Sequence, residues 1–89
     1  MSVHGEFHRI AADTISFLET TEGETAQHLA AGLRSATEQP EDDICLAASQ
    51  VLELLSEGER PGFHSELERN EFDRREDHLM SICRVVLGR

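Results

Sequence analysis

Residues 40–58 read PEDDICLAASQVLELLSEG, and the fold is decided by this stretch. Pro40 suits the first position of a helix, because the amide it lacks would have no partner there. Glu41, Asp42 and Asp43 follow, which puts carboxylates at the positive end of the helix dipole. The acidic cluster is therefore explained as a helix start and needs no bound cation. Ile44, Cys45, Leu46, Ala47, Ala48, Val51, Leu52, Leu54 and Leu55 then cover more than half of the helix circumference. A helix apolar over so wide an arc meets neighbours on more than one side, so the pattern predicts a helix set inside a bundle. Gly58 is placed to end it as a left-handed cap, with Pro61 just beyond.

Upstream, the spacing predicts two shorter helices. The first runs from about Val3 to Leu18 or Glu19, with Phe7, Ile10, Ala11, Thr14, Phe17 and Leu18 on one face and Ile15 widening it. TTEG interrupts it at residues 20–23. Thr21 and Glu24 have the S/T-x-x-E spacing of a capping box, which predicts the start of a second helix. Ala26, Leu29, Ala30, Leu33 and Ala36 give that helix a narrow stripe of mostly small residues, which lets another helix approach closely.

Downstream, Ser65 and Glu68 repeat the capping spacing and open a helix expected to reach Leu87. At 1.5 Å per residue it is about 34 Å long, longer than the other three. Its second half carries a core stripe of Leu79, Ile82, Cys83 and Val86, with Phe72 one heptad before Leu79. Its first half, ELERNEFDRREDH, is nearly all charge, supported by the pairs Arg69–Asp73 and Glu71–Arg75. No segment alternates with a period of two, and no repeat is present. The expectation is one all-α domain over residues 1–89: a small bundle of three to four helices with a long C-terminal helix.

At 89 residues the chain is short for a self-sufficient core, and chains of this size often gain burial by association. A homodimer is therefore expected. Eighteen Asp and Glu stand against eight basic residues, all arginine, giving a formal charge of −10. Such a field repels phosphates and anionic headgroups, which argues against nucleic acid and membrane surfaces as partners. It attracts a protein with a basic surface. Cys45 and Cys83 sit in the apolar runs DICLAAS and SICRVV and read as small core residues in a reducing compartment. The first residues carry no basic stretch followed by an apolar run, so no secretory leader is expected. The longest apolar run, ICLAA, is far too short to span a bilayer, and the expected location is cytoplasmic.

The motifs that carry chemistry fail one by one. HGEFH at residues 4–8 resembles the zinc helix H-E-x-x-H, but Glu6 lies about 200° round the helix from His4 and points away from both imidazoles. A third ligand would have to come from elsewhere, so the zinc-helix reading is rejected. His28, His64 and His78 are scattered and have no Cys or Ser at a legible spacing for nucleophilic work. Inward-facing Glu-x-x-His pairs of the di-iron carboxylate type are missing, as are a glycine-rich phosphate loop and an EF-hand loop. A helix-turn-helix reading of TAQHLAAGL followed by PEDD would present carboxylates to DNA.

The surviving expectation is a non-enzymatic acidic protein-binding module that regulates or sequesters a partner as an anti-activator, adaptor or inhibitor. It needs no cofactor. The charged start of the last helix, extending past shorter neighbours, makes a candidate ridge. The candidate partner-binding residues are Leu67, Phe72, Leu54, Arg75 and Leu79. The opposing expectation for the ridge is that Leu67 and Phe72 fold back onto the bundle. Glu19, Glu22, Glu24 and the run from Glu38 to Asp43 supply either nucleic-acid mimicry or plain solubility. The alternative function class is a helical-bundle enzyme or metal protein using histidines and carboxylates.

Overall fold

The computed structural model describes residues 3–38, 44–57 and 61–88. Four helices make up nearly all of them: α1 (Val3–Thr20), α2 (Glu24–Thr37), α3 (Ile44–Glu57) and α4 (Glu66–Leu87). Among the described residues there is no strand. The expected start of α3 at Pro40, with its carboxylates, and the expected cap at Gly58 lie outside the described residues.

The helices form a closed ring in which α1 packs on α2, α2 on α3, α3 on α4, and α4 back on α1. Individual contacts fix their directions. Gln27 near the start of α2 donates to the main-chain oxygen of Glu19 at the end of α1. Cys45 at the start of α3 has its sulfur 3.9 Å from the main-chain oxygen of Val86 at the end of α4. Phe17 near the end of α1 stacks 6.4 Å from Phe72 near the start of α4. Neighbours are therefore antiparallel, as short connections require. The result is a four-helix bundle of 37 × 21 × 20 Å.

The sequence stripes become the core. Phe7, Ile10, Ala11, Ile15 and Leu18 of α1 meet Ala26, Leu29, Ala30, Leu33 and Ala36 of α2 across the bundle axis. α3 contributes Ile44, Ala47, Ala48, Val51 and Leu55, and α4 contributes Phe72, Leu79, Ile82 and Cys83. Thr14 is fully buried, and its hydroxyl donates to the main-chain oxygen of Ile10 at 3.1 Å, which satisfies it locally.

Two helix ends follow the local code and one departs from it. Ser65 caps α4 by accepting the amide of Glu68 at 3.2 Å, and Gly88 closes the same helix at φ 73°, a left-handed conformation that glycine adopts without strain. The capping box expected at Thr21 and Glu24 does not form. Thr21 still belongs to the end of α1: its amide donates to Leu18 and its hydroxyl donates to the main-chain oxygen of Phe17. Gly23, at φ 119°, takes the cap position of α2 and gives it no side-chain bond.

The cysteines also divide. Cys83 lies in the core, where burial pushes its thiol up to about 12 against a smaller opposing pull from Arg84. Cys45 is exposed, contrary to the core position expected for it. The apolar arc of α3 is wider than a corner position in a four-helix ring can cover. Leu52 and Leu54 are half-buried at its two seams, and Cys45 and Leu46 in the first turn are left outside.

Candidate docking site

The five residues proposed for partner binding do not share a surface. Phe72 and Leu79 are fully buried, so neither is available for docking. Leu67 is 69% exposed on the outer face of α4. Arg75 sits at the α1–α4 seam and Leu54 at the α2–α3 seam, which the ring order puts on opposite sides of the bundle.

The ridge fails as a pair because the start of α4 is covered. Phe72 is enclosed by Phe17 of α1 and by Phe63 of the segment before Ser65, with ring centroids 6.4 and 5.2 Å away. Arg75 closes over this cluster with its guanidinium 4.6 Å from the Phe17 ring centre, a cation–π contact. Its Nη1 donates to the main-chain oxygen of Glu71. Its buried Nε lies 3.3 Å from a carboxylate oxygen of Asp13, an ion pair without the alignment of a hydrogen bond. Phe63 is the residue sequence reasoning missed; a lone aromatic between Pro61 and the cap at Ser65 was the available signal.

Among the described residues, α2 and α3 enclose a trough of about 470 Å³ with both apolar and acidic lining. Gly32 and Ala36 of α2 and Leu54 of α3 supply its small and apolar surface, and Ser35, Gln50, Glu53 and Glu57 supply its polar edges. Gly32 sets its depth. A methyl group built there would stand 3.3 and 3.4 Å from the two terminal carbons of Leu54, so Leu54 already rests on the bare backbone of α2. No arginine is among the described residues that line the trough. Glu53 and Glu57 are one turn apart on one face of α3, and Gln50 and Leu46 continue the same stripe toward the start of that helix. Leu46 is 47% exposed.

Three further hollows among the described residues are lined by polar and charged side chains. Of the two between α1 and α2, one holds the ion pair of Arg34 with Glu19, and the other has Arg34 and Glu38 in its lining. The hollow at the start of α2 holds His64, 3.6 Å from Glu22.

Among the described residues no three His, Cys, Asp or Glu side chains converge as metal donors. His4, His28 and His78 are exposed, and His8 lies edge-on to the Phe7 ring at 5.4 Å. No helix among the described residues is long and apolar enough to cross a membrane. Compared with known proteins, the chain matches no family model, no curated protein and no solved structure.

Proposed function

We propose that this chain is a non-enzymatic, acidic protein-binding module of the cytoplasm that regulates or sequesters a partner protein with a basic surface. One observation carries the reading: the α2–α3 trough combines an apolar floor with two carboxylates and no lining arginine among the described residues. A net charge of −10 steers a cationic surface toward the molecule, and the apolar floor provides burial once it arrives. Both cysteines are free, which suits a reducing compartment.

The test compares bait proteins in the native host extract: wild type, and a Glu53→Arg/Glu57→Arg variant shown to be folded. Wild type should retain one protein in near-stoichiometric amount, and the variant should lose it. Retention of nothing beyond background by wild type, at low and at high salt, refutes the reading.

Self-association has its own supporting observation. Val3, Leu46 and Val85 are three of the exposed large apolar residues, and antiparallel packing brings the helix ends that bear them to the same end of the bundle. A homodimer joined there would cover them. Sedimentation at micromolar concentration should then give a dimer that Leu46→Asp or Val85→Asp converts to monomer. A monomer at every dilution rules the dimer out.

A further inference from the structure

We propose that the α2–α3 trough receives one amphipathic helix of the partner, oriented with its lysines or arginines over Glu53 and Glu57 and its uncharged end toward Gln50. This rests on the protein-binding reading and adds the occupant, its charge and its direction.

Shape is the first argument. The lining runs from Gly32 to Ala36 on α2 and from Gln50 to Glu57 on α3, about 6 and 10 Å of wall, which matches about two turns of a partner helix. Gly32 and Ala36 keep the α2 wall low, so a third helix can approach closely enough to touch the floor. Side chains spaced i, i+3, i+4 and i+7 on the incoming helix would lie along Ala36, Gly32 and Leu54.

Charge sets the identity and the direction. Along the trough the α3 wall runs from uncharged Gln50 to anionic Glu53 and Glu57. Its anionic end is also the C-terminal end of the helix, where the dipole adds negative potential. A cationic segment placed there meets Glu53, Glu57 and the dipole together. A second copy of this chain is disfavoured as the occupant. Two copies joined through this trough would enclose four carboxylates from these positions, with no lining arginine among the described residues to offset them.

The probe is a fluorescein-labelled peptide as long as α3, built from leucine, alanine and glutamine on the i, i+3, i+4, i+7 pattern, with two arginines one turn apart at one end. Its controls are a scrambled peptide of equal composition and a version with glutamate in place of arginine. Anisotropy should show binding about tenfold tighter than the scrambled peptide, and about tenfold weaker to Glu53→Gln/Glu57→Gln protein. Gly32→Leu, checked for helicity by circular dichroism, fills the trough and should weaken binding to a similar extent. Amide chemical-shift changes should concentrate at residues 32–36 and 50–57. Equal binding of the scrambled peptide overturns the proposal, as do shifts centred on Glu19 to Glu24 and Glu66 to Glu71. A natural partner captured equally by wild type and by Glu53→Arg/Glu57→Arg overturns the trough as its site and leaves the protein-binding reading standing.

Discussion

Phe72 tests whether α4 projects or is folded into the bundle. Its ring is fully buried and lies against Phe17 and Phe63. Deleting a buried phenylalanine costs about 3–5 kcal/mol, of which each aromatic pair accounts for roughly 0.5–1.5 kcal/mol. A chain of 89 residues has a total stability of about 4–13 kcal/mol at typical values per residue. Phe72→Ala therefore removes about a quarter or more of the stability and can unfold the protein outright. Phe72→Leu keeps a core side chain, loses the ring contacts, and should cost about 1–2 kcal/mol. Leu67→Ala, on the exposed face of the same helix, should stay within about 0.5 kcal/mol of wild type. The chain has no Trp or Tyr, so far-ultraviolet circular dichroism during urea titration is the appropriate readout. Phe72→Leu should lower the midpoint with an unchanged slope, while Leu67→Ala should leave both in place. Equal and small shifts for the two variants would mean that Phe72 is not enclosed and that the charged half of α4 stands free.

Four further outcomes follow from local geometry. At mildly alkaline pH a thiol reagent should label Cys45 in the native state and reach Cys83 only on unfolding, as peptide mapping would read; fast labelling of Cys83 contradicts its burial. Because the folded Cys83 thiol titrates near 12, above its ordinary 9.0, its share of stability is complete below pH 9.0 and is lost as pH rises toward 12; thermal melts of a Cys83→Ala variant should lack that alkaline decline. Gly32→Ala gains about 1 kcal/mol of helix propensity against crowding of half-buried Leu54, which can swing outward, so the melting temperature should hold or rise while the trough becomes shallower; a large drop would mean that Leu54 is fixed. Ser65→Ala removes the acceptor for the Glu68 amide and should cost about 1 kcal/mol, with the loss read as early fraying of α4 by amide exchange.

The parts of the fold that were legible are those that depend on one helix at a time. The stripes of α1 and α2, the Ser65 cap and the reach of α4 to Leu87 are local patterns, and each has a structural counterpart. The misreadings come from competition between elements. Thr21 and Glu24 satisfy a spacing rule, yet the last turn of α1 already holds the Thr21 hydroxyl. Phe72 sits among charges in sequence, and its cover comes from Phe17 and Phe63, which no local window links to it. Cys45 belongs to an apolar arc that exceeds the coverage available at a corner of the ring. The trough was half visible, since small residues on α2 announced a close approach. The specific meeting of Gly32 with Leu54 required knowing which helix comes near and in which direction.

The ring order also shapes how the chain assembles. Three of its four seams join helices consecutive in sequence, so each forms by closing a short loop at modest entropic cost. Only the seam that brings Phe17 to Phe72 spans most of the polypeptide. Among the four seams, closing α1 onto α4 therefore carries the largest loop-closure cost in assembling the ring.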